Sequence, residues 1–484
     1  MTFSELVNLV SSRKVPSICT DSRAVTKGSV FVAVKGTVYD GHDFINQAVA
    51  AGAEYIVVQE AEPGIEGSKL DAEIIVVEDT SKAAAILAQA RAGNPASKLT
   101  NLAVTGTNGK TTVAYLVRSC IQQTCQKCGL IGTVVYDTCS GGQPEDAPLT
   151  TPDSLDIAAK QEQMVKNGAK FMVIEASSHA LSQNRLAGIN FRAAAFTNLS
   201  GDHLDYHKTK EDYLAAKTRL FSGLSPDSVA ILNAQSPESE FIAARTDAEI
   251  LRYAVDEKAD ISAHIESMDV SGTVFTIEYN GKSVSVKTSL LGRYNVSNCL
   301  AAAGLCLAAG FDLKTIADGI SALQGVPGRL EKVDTVRDFS VIIDYAHTDD
   351  ALKNVLVTLK PLCKGRLIVV FGCGGDRDKT KRPRMAHVAG QSADCIIVTS
   401  DNPRTEDPDS IIRDIITGFK NPDSENITVE PDRKKAIKLA VETAAEDDIV
   451  LIAGKGHETY QIIGKQKSHF SDKETAQQYL KAKL

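Results

Sequence analysis

Thr105-Gly106-Thr107-Asn108-Gly109-Lys110-Thr111-Thr112 decides the fold, because of what flanks it. Leu99 to Thr105 is an apolar run that reads as a strand, and a helix is expected from about Lys110. Between them, glycines let backbone N–H groups close around phosphate oxygens, and the helix N-terminus adds positive potential. Lys110 can reach β- and γ-phosphates, and the Thr111 hydroxyl can ligate Mg²⁺. The loop departs from G-x-x-x-x-G-K-[ST]: Val104 stands where the first glycine belongs, and the glycine comes at Gly106, giving a shorter loop. A nucleotide phosphate site is implied; what is done with the phosphate is not.

Further buried-strand candidates follow at Phe171 to Ile174, Ala193 to Phe196 and Val229 to Leu232. Strands alternating with helices predict a mostly parallel sheet covered on both faces. Upstream, Ser29 to Val34 and Tyr55 to Val58 are β-like and Ile45 to Ala51 helical, a small α/β unit ending near Ala92-Gly93-Asn94-Pro95. Downstream, Ile261 to Leu291 alternates with period two. Asn280-Gly281 sits between Val274–Tyr279 and Val284–Val286, which predicts a hairpin. Val296 to Ala309 returns to helix, and Gly325-Val326-Pro327-Gly328 suggests a linker. From Leu330, four apolar runs (Val341–Ile343, Leu367–Phe371, Cys395–Thr399, Ile449–Ala453) each lead into polar and glycine residues. In open α/β sheets ligands bind beyond the carboxyl ends of strands, so these predict a crevice.

The 484 residues suit about three domains. Hydrophobic residues at 43% fit a globular chain, and a net charge of −8, from 53 basic and 61 acidic side chains, gives no basis for nucleic-acid binding. An amide nest with one lysine explains how an acidic protein binds polyphosphate. With no apolar run of bilayer length and no secretory leader in Met1 to Val10, a cytosolic protein is expected. The ten cysteines are read as free thiols. Cys125-x-x-Cys128, near Cys120 and Cys139, has zinc-knuckle spacing, but no second such pair follows.

Two strand ends beside the loop carry further candidates: Glu175-Ala176-Ser177-Ser178-His179 and Asn198-Leu199-Ser200-Gly201-Asp202-His203. Glu175 and His203 can approach a metal held by nucleotide phosphates. Mg²⁺ prefers oxygen, so a second ion, or a water between His203 and the metal, stays open. Tyr213 to Phe221 is an amphipathic helix on which Lys217 reads, by pattern alone, as a solvated surface lysine.

Together these motifs resemble the Mur ligases, and within them the members that add 2,6-diaminopimelate. The resemblance extends to Asp21-Ser22-Arg23, Gly292-Arg293-Tyr294-Asn295, Gly328-Arg329-Leu330-Glu331, Asp344-Tyr345-Ala346-His347, Gly372 to Arg377, Asp401-Asn402-Pro403-Arg404 and Gly454-Lys455-Gly456-His457-Glu458, in the family's order over essentially the whole chain. It implies an α/β protein of three domains: a small UDP-binding domain (1–95), a central P-loop-type ATPase domain with a mostly parallel sheet (96–329), and a Rossmann-like amino-acid-binding domain (330–484).

The implied activity is ATP-dependent joining of meso-diaminopimelate to UDP-N-acetylmuramoyl-L-alanyl-D-glutamate through an acyl phosphate, in peptidoglycan biosynthesis, by a monomer. ATP would be held by Thr105 to Thr112 with Asn295, Arg329, Asp344 and His347. Mg²⁺ would be held by Thr111, Glu175, His203 and Lys217, the lysine carrying a CO₂-derived carbamate, so that Lys110, Glu175, His203 and Lys217 are the implied catalytic set. Ser22 and Thr37 fall where the family holds uridine, and Thr150, Thr151, Ser178, Gln183 and Arg185 where it holds the muramoyl dipeptide. Arg377, Asp401, Asn402, Pro403, Arg404, Gly454 and Glu458 would take the diaminopimelate, Arg404 gripping the far carboxylate that lysine lacks. Closure of the third domain would bring amine to acyl phosphate. Asp349 departs from the family's proline after Thr348, leaving the local loop geometry open. Ligation of L-lysine, a folylpolyglutamate synthase-like ligase and a nucleotide-dependent switch protein are the competing readings.

Overall fold

The computed structural model describes residues 1–36, 39–59, 71–201 and 204–481, without the side chains of Leu204 and Asp205. Two compact units emerge, residues 1–253 with 301–319, and residues 254–300 with 320–484.

The first unit opens with a four-stranded parallel sheet in the order Ile18–Cys19, Val30–Val32, Tyr55–Gln59, Glu73–Val77. Its inner strands are apolar on both sides because both faces are covered. Val30, Val32 and Val57 pack with Leu6, Leu87 and Ala83 on one face, while Phe31, Ile56 and Val58 pack with Ile45 and Ala48 on the other. The helix Phe3–Ser11 starts at a capping box, in which Thr2 and Glu5 satisfy each other's backbone N–H groups. The helix Thr80–Arg91 is capped by Asp79.

Six parallel strands follow, in the order Glu249–Val255, Val229–Asn233, Phe191–Phe196, Thr100–Thr105, Phe171–Glu175, Cys128–Ile131, with two short antiparallel strands beyond Cys128–Ile131. Register makes the function possible. Phe196 pairs with Thr105 and Val104 with Glu175, so the phosphate loop, Glu175 and Asn198 leave the sheet at one level. The helix Lys110–Gln122 follows the loop directly, as its sequence predicts. Cys120 lies buried on it, its thiol directed at the Ile316 carbonyl. Cys128 is buried, Cys139 half-buried and Cys125 exposed, all as free thiols.

The second unit holds an antiparallel meander, Ile261–Asp269, Gly272–Tyr279 and Lys282–Thr288. Asn280 and Gly281 both take positive φ (50° and 72°), the geometry of the predicted two-residue hairpin turn. A six-stranded sheet follows, ordered Glu331–Val333, Ser340–Asp344, Ile449–Ala453, Leu367–Phe371, Cys395–Val398, Ile427–Val429 and parallel except at its first strand. Asp344 pairs with Ala453 and Phe371 with Val398, which sets four loops on one edge. Arg433 and Asp472, both fully buried, form an ion pair at 2.7 Å. The same guanidinium donates to the carbonyls of Ala453 (2.9 Å) and Ser400 (3.4 Å), the residues just before two of those loops. No described helix is long and apolar enough to cross a membrane.

Candidate active site

In the first unit the phosphate loop is pinned from the neighbouring strand end. Asn198 accepts from the Thr107 N–H with its carbonyl (2.8 Å) and from the Asn108 N–H with its side chain (3.0 Å). Gly106 has a φ of 146°, and a Cβ there would collide with the Thr197 hydroxyl, so no other residue fits. Lys110 folds back over the loop, donating to the carbonyls of Gly106 and Thr107, both at 2.9 Å.

Lys217 is the decisive placement. It is only 1% exposed, and its ammonium donates to the same Gly106 carbonyl at 2.8 Å while lying 4.3 Å from the centre of the Tyr213 ring. The helix Lys210–Ser222 thus delivers a second lysine into the loop rather than to solvent.

Glu175, fully buried, is bound by three donors: the Thr111 hydroxyl (3.0 Å), the Thr133 N–H (2.8 Å) and the Thr133 hydroxyl (2.9 Å). With its proton committed to Glu175, Thr133 accepts from the Thr150 hydroxyl at 3.1 Å. The Glu175 carbonyl accepts from Thr151 (2.6 Å), and Arg185 donates to the Thr151 carbonyl (2.8 Å) and twice to Gln183. A continuous chain of hydrogen bonds therefore runs from Thr111 to Arg185. Burial lowers the pKa of Arg185 from its ordinary value. Ser178 has a buried hydroxyl with no partner among the described residues.

In the second unit Asp344 ends its strand buried, accepting from the N–H groups of Leu330 (2.7 Å) and Ala346 (2.8 Å). Burial raises its pKa, against the pull of the Arg329 guanidinium and those two amides. Arg329 stacks over the Tyr345 ring at 4.7 Å, and His347 contacts the same ring. Burial pushes the Tyr345 phenol up to about 12. Arg404 takes the left-handed conformation (φ 51°), held there because its N–H donates to Ile462 (3.1 Å) and its carbonyl accepts from Gly464 (2.7 Å). Its Nη1 donates to the Gly375 carbonyl at 2.8 Å. The Asn402 amide and the Lys455 ammonium both donate to Glu458 Oε2 at 2.9 Å.

Three family models match in order: the Mur ligase family catalytic domain over residues 14–92, the Mur ligase middle domain over 104–306 and the Mur ligase glutamate ligase domain over 328–456. The chain belongs to the Mur ligase family. It shares 45% identity over 467 residues (95% of this chain, 94% of the other) with the UDP-N-acetylmuramoyl-L-alanyl-D-glutamate–2,6-diaminopimelate ligase of Geobacillus kaustophilus. A solved structure described as the same kind of ligase superposes with a TM-score of 0.69 at 35% identity, covering 97% of this chain and 95% of its own. Mycobacterium tuberculosis folylpolyglutamate synthase, at 19% identity and a TM-score of 0.62, shares the fold over only 76% of this chain and 91% of its own.

As a Mur ligase the protein is an ATP-dependent ligase with the three-domain α/β architecture of the family. The first unit brings Lys110, Thr111, Glu175 and Lys217 together with Thr150, Thr151, Gln183 and Arg185. Ser22 is apart from that chain, its hydroxyl donating to Gln47 at 3.0 Å. Thr37 and His203 lie outside the described residues. In the second unit Asp401, Asn402, Pro403 and Gly454 are buried, and Gly454 donates to the Asp344 carbonyl at 3.0 Å. Asn295 is buried, donating to the Leu291 carbonyl, and Arg377 is exposed. Asp349 occupies the first position of the helix Asp349–Leu359, where a proline is also at home, because Thr348 caps that helix. The loop geometry is therefore compatible with either residue. Sequence reasoning missed Thr133, which carries no local signal because its partner Glu175 is 42 residues away, and the burial of Lys455.

Proposed function

We propose that this protein joins meso-diaminopimelate to the D-glutamyl γ-carboxylate of UDP-N-acetylmuramoyl-L-alanyl-D-glutamate, with ATP converted to ADP and phosphate, as a step of peptidoglycan assembly. The observation that carries the ligase reading is Lys217, buried against the phosphate-loop carbonyl. A switch protein has no use for a second lysine there.

A carboxylate is a poor electrophile, so its oxygen first takes the γ-phosphoryl group of ATP, breaking the bond to the β–γ bridging oxygen. Lys110 and the loop amides stabilise the charge on the transferring group. Arg185, positioned through Thr151 and Gln183, together with Thr150 and the Ser178 hydroxyl, orients the muramoyl dipeptide. The amine lone pair then attacks the acyl carbon, the nitrogen loses a proton, and the carbon–oxygen bond to phosphate breaks. The carboxylate of Glu175 and the hydroxyl of Thr111, 3.0 Å apart, are hard oxygen donors that would hold Mg²⁺, and His203 is assigned to the same site. Bound Mg²⁺ would supply charge neutralisation at the phosphates. Lys217 is assigned to the same site as a carbamate, which would put an anion beside Lys110 in place of a second cation. Ser22 and Thr37 are assigned to the uridine end. Asn295, Arg329, Asp344 and His347 are assigned to the nucleotide, with domains divided at 95/96 and 329/330.

The amino acid is held by the second unit's loops. Arg404 grips the far carboxylate with Arg377 beside it, and Glu458 faces an ammonium, within the frame of Asp401, Asn402, Pro403 and Gly454. Lysine has no second carboxylate and leaves the guanidinium unpaired. Phosphate release that requires both the UDP-muramoyl dipeptide and meso-diaminopimelate, with L-lysine a poor replacement, is the expected result. Release without either co-substrate, or equal use of both amino acids, would overturn the reading.

A further inference from the structure

Lys455 has no part in the chemistry above, yet its side chain is fully buried. An ammonium has three donors and no acceptor, and it is tolerated in a dry site only when those donors are satisfied. Here Nζ donates to Glu458 Oε2 (2.9 Å), to Asn402 Oδ1 (3.3 Å) and to the Tyr460 carbonyl (2.6 Å). These partners belong to three separate segments: the loop carrying Arg404, the turn after Ile449–Ala453, and the first strand of the hairpin Tyr460–Ile463/Gln466–His469.

Two consequences follow for the pocket. Asn402 Oδ1 takes both Lys455 and the Ile462 N–H (2.9 Å), so its amide nitrogen must face Glu458, which it meets at 2.9 Å. Glu458 Oε2 then carries two donors among the described residues, so a ligand ammonium would meet Oε1. The hairpin that Lys455 holds at Tyr460 is the one whose Ile462, in the strand, and Gly464, in the turn, fix the backbone of Arg404. One cation thereby sets both groups assigned to the far end of a diamino diacid: the acceptor for its ammonium, which lysine shares, and the fork for its carboxylate, which lysine lacks.

We propose that Lys455 is a positioning residue for selection of the diamino acid, holding Glu458 and the Asn402–Arg404 segment in the geometry that accepts it. This rests on the reading of these loops as the diaminopimelate pocket. The test is steady-state phosphate release by the full-length protein and by Lys455→Met, with each of the three substrates varied in turn. Lys455→Met is expected to raise KM for meso-diaminopimelate by about tenfold or more, the size of one lost charge-assisted hydrogen bond. KM for ATP and for the muramoyl dipeptide should stay within about twofold, and the preference over L-lysine should narrow. Lys455→Arg, which keeps the cation, should fall between the two. If the methionine variant does not fold, Lys455→Gln, which keeps a donor and most of the volume, carries the same measurement. An unchanged KM for meso-diaminopimelate, or three KM values rising together, would overturn the assignment. Failure of the wild-type protein to use meso-diaminopimelate would count against the function proposed above, not against Lys455.

Discussion

Replacing Arg404 with alanine should abolish the preference for meso-diaminopimelate while leaving the protein folded. The backbone there is held by bonds that do not need the side chain, from the Arg404 N–H to Ile462 and from Gly464 to the Arg404 carbonyl. Alanine bears the left-handed φ of 51° at much the same cost as arginine. The Gly375 carbonyl loses one donor, which water replaces. What disappears is a fork–fork grip on a carboxylate, two hydrogen bonds to a charged group at about 1.5–3 kcal/mol each. Allowing for partial resolvation, a loss of about 3–4 kcal/mol corresponds to a fall of about 10²- to 10³-fold in kcat/KM for meso-diaminopimelate. L-Lysine never used that grip, so its kcat/KM should change by less than about threefold. The assay is coupled phosphate release with saturating ATP and muramoyl dipeptide. Arg404→Lys should recover at most about tenfold, because an ammonium offers a point charge where a planar fork is needed. Equal declines for the two amino acids would refute the reasoning, since they would mean that Arg404 supports the loop rather than reads the substrate.

Lys217→Met keeps the aliphatic stem and removes the amine proposed to carry the carbamate, so phosphate release should drop by at least about 10²-fold, with the thermal midpoint read in parallel and little changed. Asp349→Pro should alter stability by less than about 1 kcal/mol, because proline suits the first helical position and the ion pair it loses, to Arg384 at 3.1 Å, is partly exposed; thermal unfolding checks it. The Glu406 carboxyl is held down at about 2, chiefly by its bonds to Arg382. Its folded value lies below its ordinary 4.5, so its stabilising contribution is complete above that pH and is lost as pH falls toward 2. In Glu406→Gln, stability should therefore vary less steeply across that window in denaturant titrations.

Legibility in the sequence followed the hydrophobic effect. Apolar runs such as Leu367–Phe371 and Ile449–Ala453 are buried on both faces and announce themselves, and the hairpin at Asn280-Gly281 shows because positive φ needs particular residues. Polar or marginal strands gave no such signal. Tyr460–Ile463 and Gln466–His469 carry too little apolar alternation to stand out, and Glu331–Val333, at the sheet edge, is only three residues long. Within the site, the phosphate loop was readable because its chemistry is local. Lys217 was not readable from its own helix: its burial depends on Gly106, 111 residues away, and only the pattern of the whole chain pointed to it. Thr133 escaped for the same reason, and Lys455 in part, since Glu458 and Tyr460 are near it in sequence but Asn402 is 53 residues away.

The pairing of Arg433 with Asp472 has a consequence for how the molecule comes into being. Ser400 and Ala453, which lead into two of the loops proposed to read the amino acid, are tied to a cation whose counter-charge sits at the start of the helix Asp472–Lys481. Until that helix docks, a guanidinium stands unneutralised in a dry core, a penalty of about 3–5 kcal/mol. Synthesis runs toward the C-terminus, so the first unit's sheets can mature while the loops after Ser400 and Ala453 wait for Asp472 to follow. A chain cut at Ser471 should emerge able to fold its first sheets but unable to hold the loops after Ser400 and Ala453 in place.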